Sequence, residues 1–229
     1  MPAERERMQY LEALGIDVWL PREQAGQSVP DLVEIAVTAD EPVPDWTELQ
    51  ASVAGCTRCP LHQCRTQTVF GVGNRDADWM IIGEAPGAEE DRRGEPFVGR
   101  AGKLLDEMLR AVELDRSTVF ITNILKCRPP SNRDPAADEA AACRGYLERQ
   151  IEMIRPRLIL AVGRIAAQQL LHTDSPLGRL RGRVHTLNNG QVPLVVTYHP
   201  AYLLRSPSQK RKVWEDLCLA RQVVQESPT

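Results

Sequence analysis

Apolar positions in the second half of the chain fall into short unbroken runs, separated by stretches with helical period. Trp79-Met80-Ile81-Ile82, Val119-Phe120-Ile121, Leu158-Ile159-Leu160-Ala161-Val162 and Leu194-Val195-Val196 are four such runs. Between them, Leu104, Leu105, Met108, Leu109 and Val112 repeat at three- and four-residue intervals, the spacing of one helix face. Residues 135–154, the stretch after Gly163 through about Leu171, and residues 208–225 read as further helices. Asp134-Pro135 suggests an N-cap followed by a first-turn proline. Continuous apolar strands alternating with helices predict an α/β fold, a parallel sheet buried on both faces.

The first fifty residues differ. Met8, Leu11 and Leu14 give a short helix within residues 5–20, ending in Ile16-Asp17-Val18-Trp19-Leu20 before Pro21. Residues 21–45, rich in Pro, Asp, Glu and Val, read as a linker. A helix near Trp46–Val53 then begins the main domain. The expected division is therefore an N-terminal peptide with acidic linker (1–45) and one folded domain (46–229), an ordinary size for 229 residues.

Charge sharpens this division. The whole chain has 28 Lys+Arg and 31 Asp+Glu, a formal net charge of -3. Residues 1–50 carry three basic and eleven acidic side chains, leaving an excess of basic groups in the remainder. No acidic residue falls between Ser175 and Trp214, a stretch holding Arg179, Arg181, Arg183, Arg205, Lys210, Arg211 and Lys212. A basic face of this kind suits a polyanion. The opening residues lack a secretory h-region and no apolar run reaches membrane-spanning length, so a cytoplasmic protein with reduced cysteines is expected.

Candidate chemistry collects at the C-terminal ends of the expected strands, where open α/β sheets bind ligands. Gly83-Glu84-Ala85-Pro86-Gly87 follows the first, Asn123 the second, Gly163-Arg164 the third and His199-Pro200 the fourth. Neither GxGxxG nor GxxxxGK[ST] occurs at the first turn, which argues against a nucleotide-phosphate loop. Phe97 stands among the glycines of Gly94–Gly102 and can stack on a flat ring. Cys56 and Cys59 form a C-x2-C, and Cys127 and Cys143 lie far downstream. Four thiolates suit either a [4Fe-4S] cluster or an all-cysteine zinc site. Cys64 is close enough to Cys59 to compete as a ligand, whereas Cys218 reads as core of the last helix.

GEAPG, EPFVGRAG, TNILKCRPPSNRDP and HPAY, with the four cysteines in this order, resemble the family 4 uracil-DNA glycosylases. The resemblance covers roughly residues 50–225. It implies a three-layer α/β/α fold with a four-stranded parallel sheet. It also implies a [4Fe-4S] cluster on Cys56, Cys59, Cys127 and Cys143, and excision of uracil from DNA. In that reading Gly83, Ala85, Phe97, Asn123 and His199 form the uracil pocket, with Phe97 stacking on the base and Asn123 reading its N3/O4 edge. His199 stabilises charge on O2, and Arg179, Arg181, Arg183 and Arg205 meet DNA. Family 1 members carry an Asp where this chain has Ala85, leaving Glu84 or Glu90 to activate water, with Glu84 the catalytic candidate. The covalent uracil-binding branch carries a His-containing insert where this chain reads Pro129–Pro135 without histidine.

The run Arg5–Trp19 is similar over about fifteen residues to the N-terminal peptide of the psi subunit of bacterial DNA polymerase III. That similarity implies docking on the chi subunit through Leu11, Leu14, Ile16 and Trp19. The alternative function is thus a psi-like clamp-loader subunit that uses its glycosylase-like domain to bind DNA.

Overall fold

The structure is a computed structural model and describes residues 45–187 and 192–226. The expected helix within 5–20 and the linker 21–45 lie outside the described residues, apart from Asp45.

The four apolar runs form four adjacent parallel strands: β2 (Trp79–Gly83), β3 (Phe120–Asn123), β4 (Leu158–Val162) and β6 (Val192–Thr197). Two short antiparallel strands complete a six-stranded sheet of order β1-β3-β2-β4-β6-β5, with β1 at Val72–Gly73 and β5 at Val184–Leu187. The expected four-stranded sheet is therefore the parallel centre of a mixed one. The edge strands escape a pattern search because one has two residues and the other alternates with half its side chains exposed.

Alternate residues of each central strand enter opposite cores, as the pleat requires. Met80, Ile82, Phe120, Ile159, Ala161, Leu194 and Val196 point to one face. Helices α4 (Ala137–Ile154) and α5 (Arg164–Leu171) cover that face with Leu147, Ile151, Ala166, Ala167 and Leu170. Trp79, Ile81, Ile121, Leu158, Leu160 and Val195 point to the other. There α3 (Arg100–Arg110) and α8 (Lys210–Glu226) supply Leu105, Leu109, Val213 and Leu217. Both faces of the central strands are sealed, which gives the three-layer architecture. Truncating a fully buried residue such as Leu160 to Ala would cost about 2–5 kcal/mol.

A third, smaller core lies beside the sheet. Helix α1 (Trp46–Ala54) opens with a reciprocal cap: Asp45 Oδ1 accepts from the Glu48 N–H at 2.8 Å, and Glu48 Oε2 accepts from the Asp45 N–H at 3.0 Å. Its buried Leu49 and Val53 pack with Leu61, Phe70, Leu125 and Tyr146 around Cys127 and Cys143. Helix α4 starts two residues later than Asp134-Pro135 implies. Ala136 holds the N-cap position, and the Glu139 carboxylate reaches back to accept its N–H at 2.9 Å. Shorter helices α2 (Ala88–Arg93), α6 (Leu177–Leu180) and α7 (Pro200–Arg205) lie in the connections.

Candidate active site and cysteine pocket

At the C-terminal ends of β2, β3 and β6 the loops enclose a cleft of about 510 Å³. Glu84, Ala85, Phe97, Asn123, His199 and Arg205 line it together with Gly87, Glu90, Tyr202 and Asp134. Gly83 sits beneath, where the backbone must pass close to two side chains. A Cβ there would lie 2.4 Å from Asn123 Oδ1 and 2.6 Å from Phe97 Cζ. Asn123 is 2% exposed, and its Nδ2 is a buried donor with no hydrogen-bond partner. Such an orphan costs about 1–3 kcal/mol and requires an explanation; an acceptor brought by a ligand supplies one.

Phe97 lies against His199 with ring centroids 5.5 Å apart and planes at 27°. Its backbone has φ 55, a left-handed conformation that a bulky residue keeps only when its surroundings impose it. Two clamps do so. Glu90 Oε1 accepts from the Val98 and Gly99 N–H groups at 3.0 and 3.1 Å. On the other side the Arg116 guanidinium donates to the Pro96 and Phe97 carbonyls and pairs with Asp106 at 2.7 Å. Gly102 lets the loop close, since a Cβ there would lie 1.6 Å from Phe97 O. Glu90, one of the two carboxylates considered for activating water, is thus engaged in holding this loop.

The other carboxylate is differently placed. Burial, reinforced by Asp134 and opposed by Arg164, pushes the Glu84 carboxyl up to about 7. Asp134 and Arg164 are themselves paired at 2.6 Å. Burial draws His199 down to about 4, so its imidazole is neutral at pH 7. Its Nδ1 accepts from the Ala201 N–H at 3.1 Å, so the ring proton resides on Nε2. His199 is therefore a neutral donor rather than a cation.

Cys56, Cys59, Cys127 and Cys143 line a single pocket with Val53, Arg65, Lys126 and Tyr146. Burial raises the Cys59, Cys127 and Cys143 thiols, Cys127 to about 11, and the thiols raise one another further. Arg65 Nη1 donates to Cys127 Sγ at 3.1 Å and the Lys126 N–H to Cys143 Sγ at 3.4 Å. Among the described residues, no three His, Cys, Asp or Glu side chains are arranged to hold a single metal ion. Cys64 is exposed, turned to the carbonyls of Leu61 and Arg128, and takes no part in the pocket lining. Cys218, expected in the core, is exposed on α8.

The four arginines separate. Arg205 lines the cleft. Arg179 and Arg183 are exposed on the segment from α6 to β5, outside the cleft lining. Arg181 turns inward. Its guanidinium grips Asp216, which is 0% exposed, at 3.0 and 2.9 Å. Thr197 Oγ1 donates to the same carboxylate at 2.9 Å. The pattern of basic residues did not disclose this, because the acid lies just past the stretch free of acidic residues. Its signal is an aspartate within the buried stripe Val213, Leu217, Ala220. Lys126, Gln150 and Arg116 likewise stand in no sequence pattern that marks their roles. A lysine between Leu125 and Cys127, both apolar-type positions, is the available hint for the first.

An α/β/α fold with a polar cleft at its strand ends, and a ring of cysteines to one side, defines a class. Residues 70–218 match the Uracil DNA glycosylase superfamily, and the chain belongs to that superfamily. Within it, the chain is 43% identical over 175 residues to a type-4 uracil-DNA glycosylase of Archaeoglobus fulgidus, covering 74% of this chain and 88% of the relative. A type-4 uracil-DNA glycosylase of Thermotoga maritima is 43% identical over 177 residues, with 76% and 92% covered. One of Pyrobaculum aerophilum is 42% identical over 181 residues, with 76% and 92% covered. A type-5 uracil-DNA glycosylase of that organism is more distant, at 30% over 182 residues. These relatives do not favour the psi-like alternative, and the peptide on which it rests lies outside the described residues. No helix among the described residues is long and apolar enough to cross a membrane.

Proposed function

We propose that this chain hydrolyses the N-glycosidic bond of uracil in DNA, initiating base excision repair in the reducing cytoplasm. In this reading residues 46–229 are the enzyme, preceded by the N-terminal peptide and acidic linker of residues 1–45. The observation that carries the reading is the buried, unpartnered Asn123 amide beside Phe97 and His199, in a chain of this superfamily.

A base stacked inside a duplex is out of reach, so uracil enters the cleft flipped from the helix. Phe97 offers its ring for stacking. Asn123 Nδ2 donates to uracil O4, and Oδ1 accepts from N3–H. Cytosine presents the reverse pattern and would leave both groups mispaired. As the glycosidic bond stretches, negative charge gathers on the base, and the His199 Nε2–H donates to O2. A neutral donor suits this role, because it stabilises the developing anion without first protonating the base. Glu84, with its carboxyl near neutrality, accepts a proton from the water that attacks C1′. Arg205 at the cleft, with Arg179 and Arg183 on the exposed segment, meets backbone phosphates. Tyr202 and Leu204, 37% and 41% exposed on the helix that His199 caps, fill the stack that uracil leaves.

For the cysteine pocket we propose a [4Fe-4S] cluster on Cys56, Cys59, Cys127 and Cys143. Four thiols around one pocket, with Arg65 and the Lys126 N–H donating to two of the sulfurs, fit a sulfur-ligated cluster. A bound cluster would cross-link the segment after α1, the segment after β3 and α4. Iron analysis should give about four irons per chain; stoichiometric zinc without iron would reject it.

The activity itself is tested by incubating the purified protein with a uracil-containing oligonucleotide and cleaving abasic sites with alkali. A strand break at uracil and none at cytosine is expected. An intact strand after incubation with folded protein would refute the reading.

A further inference from the structure

Lys126 joins the two sites: its backbone lines the cysteine pocket, and its side chain turns back to the Asn123 carbonyl. It is 1% exposed. Its Nζ meets three acceptors: Thr122 Oγ1 at 2.6 Å, Gln150 Oε1 at 2.6 Å and the Asn123 carbonyl at 2.9 Å. None is a carboxylate. A methionine would fill the same space without burying a polar nitrogen, which is costly unless its hydrogen bonds are made, so packing alone does not account for this residue.

The network is braced from behind. Thr122 Oγ1 and Gln150 Nε2 both donate to the Phe70 carbonyl at 2.9 Å, which fixes the two side chains that hold the Lys126 Nζ. In front, the Ile124 and Leu125 N–H groups bond to the Gly83 and Glu84 carbonyls at 2.9 and 3.0 Å. The Asn123 peptide is thus fastened on both sides, while its side chain reaches the cleft with Nδ2 unpaired. Four residues on from Asn123 the same segment supplies Cys127, and the Lys126 N–H itself donates to Cys143 Sγ.

We propose that Lys126 is a positioning residue for Asn123: by holding the Asn123 carbonyl, it aims the amide that discriminates uracil from cytosine. This rests on the reading of Asn123 as the uracil contact. The test uses the full-length protein as purified, with iron content checked. Oligonucleotides carry either 2′-fluoro-deoxyuridine or 2′-fluoro-deoxycytidine, whose fluorine slows glycosidic cleavage so that affinity can be measured. The quantity read is the ratio of the two affinities.

In the wild type the ratio favours uracil. Lys126→Met should lower it at least tenfold with iron retained. Asn123→Ala should abolish it, and the double variant should be no worse than Asn123→Ala, because both act through one amide. A general loosening of the fold would weaken both oligonucleotides alike and leave the ratio unchanged; that result, or a wild-type ratio in Lys126→Met, overturns the proposal. Should Lys126→Met fail to fold, Gln150→Leu decides, since it removes one acceptor and keeps the lysine. A several-fold drop in the ratio that disappears in the Asn123→Ala background supports the proposal, and no drop overturns it. A wild-type protein that neither prefers nor excises uracil would instead defeat the reading of the cleft.

Discussion

The cleft and the cysteine pocket lie at opposite ends of one five-residue segment, Asn123 to Cys127, yet their chemistry is opposed. The cleft is open and polar, with a buried donor unpaired, an imidazole held neutral and a carboxyl held near neutrality. In the cysteine pocket, thiols raised by burial face donors aimed at sulfur, and apolar side chains of the third core surround them. One region is arranged for something that arrives and leaves, the other for something that stays. The lesson is that one short stretch of backbone can end in two chemically opposed environments, so that whatever steadies one end bears on the other.

The contrast breaks most readily at His199. Replacing it by Ala should slow excision by about two to four orders of magnitude, the scale of losing one preorganised donor. Iron content and melting temperature should stay near wild type. A matching loss of iron would mean that the two regions are not separable.

Arg181→Ala is expected to act on stability instead. It strands the Asp216 carboxylate, 0% exposed, and loss of one member of a buried pair costs about 3–5 kcal/mol. Denaturant unfolding checks this. Arg205→Ala, at the cleft, should leave unfolding unchanged and reduce the slope of log K against log salt by about 1. Equal salt slopes for the two variants would put Arg181 back on the DNA surface.

The acid limb of the rate profile sharpens the cleft's side of the comparison. With the Glu84 carboxyl raised to about 7, its basic form is lost as pH falls, so the single-turnover rate should drop about tenfold per pH unit below 7. Glu84→Gln should be slower and flat across that range. His199, drawn down to about 4, should contribute no limb near its ordinary value of about 6.5. A limb near 6.5 that persists in Glu84→Gln would contradict both assignments.

The sequence made the four parallel strands legible because strands buried on both faces are unbroken apolar runs. The edge strands carry no such signature: Val72–Gly73 is too short, and Val184–Leu187 is half exposed. Strand-end logic located Glu84, Asn123 and His199, since topology alone puts such residues at one rim. What the chain concealed were buried polar groups. Lys126, Gln150 and Asp216 are residue types that composition assigns to the surface, and only their three-dimensional partners explain their burial. The same blindness made Arg181 look like its exposed neighbours, when an aspartate thirty-five residues away claims it. The cap of α4 shifted for a related reason: the Glu139 carboxylate reaches back to the Ala136 N–H, while Asp134 is taken up by Arg164.

The division of labour is tested most directly by measuring excision from a uracil oligonucleotide with wild-type and Asn123→Ala protein of equal iron content. Wild-type protein should cleave at uracil, and Asn123→Ala should be slower by about a hundredfold or more, as expected when a hydrogen-bonding site loses its complement. Equal rates, or a loss of rate that follows only the loss of iron, would contradict it.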